Sequence, residues 1–311
     1  MLLDCTLRDG CHVNSGNFGY ENIIKIATGL TNTDLDFVEI GFLRNVDYNK
    51  DFPYYPKIEK AYDILSKIKI KENVKYALMA RADEYNLKNL TECNNRIKLI
   101  RVAFYYDFLE KAIKFAQEVQ AKGYAITINV INTPGNSIKD LMKMVDYANN
   151  IKPEIVTIVD TFGVLDTVEL SKLLKEYHSN LDKEIKIGLH VHENLALAFS
   201  LAKSFIDYIK DDRSIVIDGS LLGMGRIPGN LPIELIADYM NTICDKQYKL
   251  ENILELIDTE IKPIKKDIPW GYSPAYFLSA KYRVHRSYSE FMLKLGIPLD
   301  KINRYLRQID V

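Results

Sequence analysis

Two histidines one residue apart, His190 and His192, lie in an apolar run. A carboxylate, Asp9, follows another apolar run at the start of the chain, with Arg8 beside it. Side chains alternate across an extended strand, so His190 and His192 share one face while Val191 takes the other. Two imidazoles on one face can hold one ion. Asp9 completes a set of two histidines and one carboxylate that leaves coordination positions open for substrate or water. Arg8 adds a permanent cation able to stabilise an oxyanion. A His-x-His pair alone also fits histidines satisfied in a core or on a surface. The other charged residues that end apolar runs weigh against that reading.

Short apolar, β-branched runs must position these groups. They cover residues 2–5, 37–40, 74–79, 97–104, 125–130, 155–159, 185–191 and 215–217, with amphipathic segments such as 107–121 between them. Continuous apolar strands alternating with helices predict a parallel sheet covered on its outer face. Eight such units are what an α/β (β/α)8 TIM barrel requires. A doubly wound sheet is the competitor, but no Gly-x-Gly-x-x-Gly turn follows the first strand. Chemistry in a barrel sits where strands end. Arg8 and Asp9, Glu39 and Gly41, Arg81, Asn129 and Asn132, Asp160 and Thr161, and His190 and His192 all fall at such ends. Glu39 and Asp160 are candidates for orienting a histidine or a water. Near residue 241 the pattern changes to helices without strands. We therefore expect a barrel over residues 1–245 and a helical C-terminal extension over 246–311 packed on it, with Trp270 to Tyr276 as an aromatic turn segment.

Lys and Arg total 41 against 42 Asp and Glu, a formal net charge of −1. That balance gives no reason to expect nucleic acid or a membrane as partner, and leaves a small molecule. Cys5, Cys11, Cys93 and Cys244 show no zinc-binding spacing, and the sequence opens directly on a strand without a signal peptide. The cytoplasm is the expected compartment. No apolar run approaches the roughly 20 residues needed to span a bilayer.

The motifs Asp4-Cys5-Thr6-Leu7-Arg8-Asp9-Gly10, Val38-Glu39-Ile40-Gly41, Asp160-Thr161-Phe162-Gly163, His190-Val191-His192-Glu193-Asn194 and the glycine-rich stretch 219–230 resemble the HMG-CoA lyase-like (DRE-TIM) metal-dependent lyases and synthases. Within that superfamily residues 6–12, Thr-Leu-Arg-Asp-Gly-Cys-His, look like the 4-hydroxy-2-oxovalerate aldolases. Acetyl-CoA-condensing synthases normally carry Glu-Gln where this chain has Cys11 and His12. The resemblance implies Asp9, His190 and His192 as metal ligands, Asn230 as a further metal contact, Arg8 beside the enolate oxygen, His12 in proton transfer and Tyr272 as an assisting tyrosine. The implied activity is class II aldol cleavage of a 4-hydroxy-2-oxo acid to pyruvate and an aldehyde. The alternative is acetyl-CoA-dependent condensation with a 2-oxo acid, of the isopropylmalate or homocitrate synthase type.

Such cleavage must remove a hydroxyl proton, which His12 can accept, and must stabilise an enolate oxygen. A substrate offering two oxygens beside imidazole and carboxylate favours Mn2+ or Mg2+, with Co2+ or Zn2+ as alternatives. Asp4, inside the first strand, reads as a hydrogen-bonding group, His178 as a solvated residue and His285 as a surface or subunit contact. Cys5 and Cys11 have no activating partner in sequence.

Two features depart from the aldolase pattern. The chain begins almost on its first strand and has a short tail, which weighs against the aldehyde dehydrogenase partner of those aldolases; a homodimer through the tail is expected by analogy only. Arg226 stands where small residues are expected, and its planar fork suits an anionic group on the distal half of a substrate. With Thr161 it completes the candidate substrate contacts.

Overall fold

The computed structural model describes residues 1–309. Nine strands run in chain order: β1 (Leu2–Asp4), β2 (Phe37–Leu43), β3 (Tyr54–Tyr55), β4 (Lys75–Arg81), β5 (Leu99–Phe104), β6 (Ala125–Val130), β7 (Ile155–Val159), β8 (Lys186–His190) and β9 (Ile215–Gly219). All pair in parallel. The order β1-β9-β8-β7-β6-β5-β4-β2 is closed by pairing of β1 with β2, giving an eight-stranded barrel with helices outside. The two-residue β3, absent from the sequence expectation, lies against Phe42 and Leu43 of β2. It is too short to carry a periodic signal.

Strand alternation sorts the interior into layers. Leu3, Phe37, Ala77, Leu99, Ile155 and Val216 form a small buried cluster of their own, separate from the large one that the helices cover. Two residues further along their strands, on the same inward face, stand Glu39, Arg101, Thr127, Thr157 and Asp218, all buried. Two residues beyond Arg101, Thr127 and Thr157, the side chains of Ala103, Asn129 and Val159 line a cavity at the C-terminal rim, joined there by Met79 of β4 and His190 of β8. An apolar floor thus carries an ionic middle layer, and that layer carries the cavity. Within it Arg101 donates to Glu39 Oε2 at 2.9 Å and to Asp218 through its other terminal nitrogen.

β1 ends sooner than the sequence suggested. Its Asp4 accepts from Thr6 N at 2.9 Å and Thr6 Oγ1 at 2.8 Å, which starts the one-turn helix Thr6–Asp9. Arg8 and Asp9 therefore sit on a helical turn at the barrel mouth and not on a strand end.

Beyond the barrel, helices Leu250–Leu256 and Lys262–Asp267 enclose a π-helical turn, Ile257–Ile261. Three more helices follow, Pro274–Lys281, Ser287–Lys294 and Leu299–Leu306. Ile253, Leu256, Ile257, Ile261 and Trp270 join the main core, whereas Ala275, Leu278, Val284, Met292, Ile302 and Leu306 form a cluster of their own. No helix among the described residues is long and apolar enough to cross a membrane.

Replacing Arg101 by Met leaves Glu39 and Asp218 short of a buried counter-charge. The expected cost is about 3–5 kcal/mol, read as a fall in the urea midpoint; an unchanged midpoint would show that the interior does not depend on this cation.

Candidate active site

Asp9, His190 and His192 are buried, and one ligand atom from each lies within 4.8 Å of the others. Asp9 Oδ2 stands 4.0 Å from His190 Nε2 and 3.6 Å from His192 Nε2. His192 lies just past β8, yet its backbone stays extended (φ −116°, ψ 158°) and bridges to Asn230, so the strand's alternation carries on to it. Each ring is held from behind. His190 Nδ1 meets Asp218 Oδ2 at 3.1 Å, and His192 Nδ1 meets the Asp160 main-chain oxygen at 2.8 Å. Fixing Nδ1 in this way aims the Nε2 lone pair inward, the outer-shell arrangement typical of metal-binding histidine. The Asp160 carboxylate itself is used elsewhere, accepting from the Val164 and Leu165 amides.

Asp9 Oδ2, His192 Nε2 and Asn230 Oδ1 are among the buried polar atoms that find no hydrogen-bond partner. The Asn230 amide nitrogen faces Met224 O at 3.3 Å, which leaves its oxygen free. Buried lone pairs without partners are costly, and here they crowd one spot. A Cβ on Gly225 would lie 2.2 Å from Asn230 Nδ2 and 2.7 Å from Asp9 Oδ2. One carboxylate oxygen, two imidazole nitrogens and one amide oxygen fit a divalent cation with open positions.

Electrostatics agrees with that fit. Burial opposes ionisation of Asp9, but Arg8, with His192, His12 and His190, holds it well below the usual carboxylate range. Burial pushes His190 down to about 4 despite Asp218, so its ring is neutral and able to ligate at neutral pH. Arg8 donates to Asp9 Oδ1 at 2.6 Å and to Glu39 Oε2 at 2.8 Å, which fixes its guanidinium at the cavity wall.

The cavity is about 140 Å³ and takes in Arg8, Asp9, His12, Thr161, His190, His192 and Arg226. His12, on the short turn Gly10–His12, lies 3.7 Å from Asp9 Oδ1 and 3.4 Å from Arg226 Nη2, with about a third of its side chain exposed (31%). Burial, with Arg226 and Arg8 near and against the pull of Asp9, lowers its pKa and keeps the ring neutral. Thr161 Oγ1 accepts from Asn132 N at 2.8 Å.

Tyr272 does not join this group. Trp270 is buried and anchored by Nε1 to Leu222 O at 2.9 Å; the chain then turns at Gly271 (φ 137°) and leaves Tyr272 60% exposed, outside the cavity lining. His285, read from sequence as a surface or subunit contact, instead reaches Arg226 Nη1 at 3.2 Å and stacks edge-on to Phe162. Arg101 and Asp218 were not singled out in the sequence. Their signal was a lone charge at inward parity within an apolar strand.

A family model described as HMGL-like matches residues 1–259. The chain belongs to the HMGL-like family. It is 22% identical over 323 residues to a 4-hydroxy-2-oxovalerate aldolase of Pseudomonas putida, covering 95% of this chain and 89% of that one. Among solved structures it is similar to the N-terminal domain of a candidate aldolase from Bacteroides vulgatus, at TM-score 0.78 and 24% identity, covering 98% and 99% of the two chains. It is also similar to the HMG-CoA lyase of Bacillus subtilis, at TM-score 0.67 and 17% identity, covering 87% and 94%. The structural likenesses establish the HMGL-like fold.

Asp218→Asn removes the charge behind His190. It is expected to weaken Mn2+ binding about 10- to 100-fold in calorimetric titration; unaltered affinity would mean that His190 is not a ligand.

Proposed function

We propose that this protein is a divalent-metal-dependent aldolase that cleaves, or in reverse forms, the C3–C4 bond of a 4-hydroxy-2-oxo acid, with pyruvate and an aldehyde as the other side of the reaction. The observation that carries the reading is the buried cluster of Asp9, His190 and His192, with unpartnered Asp9 Oδ2 and His192 Nε2, beside Arg8 and His12 in one cavity and with Asn230 packed with Asp9 around Gly225. The names of curated relatives support it. Asp9, His190, His192 and Asn230 would hold the ion, Mn2+ or Mg2+ by donor chemistry, and it would act as a Lewis acid on the 2-oxo group.

The chain's own residues supply the rest. Neutral His12 accepts the proton of the 4-hydroxyl. The C3–C4 bonding pair moves toward C2, the aldehyde carbonyl forms at C4, and the resulting enolate oxygen carries negative charge. Arg8, immobilised by Asp9 and Glu39, presents a fixed cation there and needs no reorganisation to do so. Return of that proton from His12 to C3 then gives pyruvate and restores the neutral ring. Thr161 and Asn129 line the same cavity and offer polar contacts to the pyruvate carboxylate. Cys5 and Cys11 are buried, and burial pushes both thiols up, away from nucleophilic use.

Pyruvate release from a panel of 4-hydroxy-2-oxo acids tests the proposal through coupled lactate dehydrogenase. Protein stripped with EDTA is expected to be inactive and restored by Mn2+. His12→Asn is expected to lose about 10²- to 10⁴-fold in kcat, and Arg8→Gln about 10²- to 10³-fold. Thiol release from acetyl-CoA with 2-oxo acids, without pyruvate release from any panel member, would instead establish the condensing acyltransferase.

A further inference from the structure

Five arginines line the cavity: Arg8, Arg44, Arg81, Arg101 and Arg226. Three are spoken for. Arg8 and Arg101 are tied to Asp9, Glu39 and Asp218, and Arg81 makes a two-point contact with Asp83 and approaches Glu84 at 3.4 Å. Among the described residues Arg44 and Arg226 have no carboxylate partner. The Arg44 guanidinium lies over Phe42 and Tyr54, 5.6 and 4.9 Å from the ring centroids. Arg226 is clasped between two imidazoles, His285 Nε2 at 3.2 Å and His12 Nε2 at 3.4 Å. An imidazole is never anionic at these positions, so neither ring brings a negative charge to balance it.

We infer that the aldehyde half of the substrate carries an anionic group, carboxylate or phosphate, received by Arg226 and Arg44. The inference rests on the aldolase reading above and names the substrate class for it. Position supports it. His12 Nε2 lies 3.7 Å from Asp9 Oδ1 and 3.4 Å from Arg226 Nη2, so a hydroxyl held at that nitrogen puts the next substituents within reach of Arg226. Phe42 stands between the two ends, with Arg8 5.9 Å and Arg44 5.6 Å from its ring. Arg8 thus faces the pyruvate half and Arg44 the outer half. A small apolar aldehyde would press a methyl group against a partly buried, unbalanced cation, which is unfavourable. A carboxylate or phosphate would meet a planar fork that pairs with it at two points.

The test runs the reaction toward condensation with Mn2+-loaded protein, pairing pyruvate with length-matched aldehydes: butanal against succinate semialdehyde, and glyceraldehyde against glyceraldehyde 3-phosphate. The ratio of kcat/KM, anionic over neutral, is expected to be about 10 or more in one pair, which also tells carboxylate from phosphate. It should fall about tenfold in Arg226→Gln and recover in part in Arg226→Lys, where the charge remains but the fork is lost. Glycerol 3-phosphate, lacking the reacting carbonyl, gives a readout without turnover: its calorimetric affinity for metal-free protein should drop about fivefold in Arg226→Gln. Exchange of the pyruvate methyl protons in D2O, followed by NMR, reports enolate formation independently of any aldehyde. Exchange with a ratio at or below one, or with ratio and affinity unaltered in both Arg226→Gln and Arg44→Gln, overturns the inference and leaves the aldolase reading standing. Absence of exchange overturns both.

Discussion

The structure depends on one closed circuit of buried charge. Asp9 is held by Arg8, Arg8 by Glu39, Glu39 by Arg101, Arg101 by Asp218, and Asp218 by His190, whose far nitrogen faces Asp9 again. Three carboxylates oppose two guanidiniums, so the circuit carries one net negative charge before any ion enters. A divalent cation would turn that into one net positive charge, and the carboxylate of a 2-oxo acid would then neutralise it. Buried charges of this kind stabilise a fold poorly on their own, because desolvation offsets most of the attraction. Their use here is geometric: each group is fixed from two sides, so the atoms aimed at the cavity have little freedom.

The layering of the barrel is what makes such a circuit tolerable. Leu3, Phe37, Leu99 and Ile155 close the floor against water. Above them the low-dielectric interior strengthens every ion pair in the middle layer. Strand parity then delivers part of the cavity lining, since Ala103, Asn129 and Val159 lie two places beyond the buried Arg101, Thr127 and Thr157. Asp218 supports the ring of His190 on the neighbouring strand β8, and Glu39 reaches Arg8 on the turn after β1.

Much of this was legible in the sequence because it followed from periodicity. The eight apolar runs and the His-x-His spacing reported strands and a shared face, and Asp9 reported a carboxylate beyond the first strand. Four things were not legible. The turn from Thr6 to Asp9 is built by the Asp4 carboxylate capturing Thr6, a local hydrogen bond that hydrophobic patterning does not register. Glu39 and Asp160 were both read as orienting acids; Glu39 holds two arginines, whereas it is the main-chain oxygen of Asp160 that orients His192. Arg44 lines the cavity from a loop and His285 reaches Arg226 from the helical tail, through contacts that only the tertiary fold creates. Tyr272, named through resemblance alone, stands on a turn whose direction is set by the anchored Trp270.

Asp9, His190, His192 and Asn230 are proposed to form one cation site. Anomalous diffraction from a crystal grown with Mn2+ tests it most directly. One strong peak is expected about 2.0–2.3 Å from Asp9 Oδ2 and from Nε2 of both histidines, with Asn230 Oδ1 turned toward it. A crystal with no peak at this place, or with Mn2+ bound only elsewhere, would contradict it.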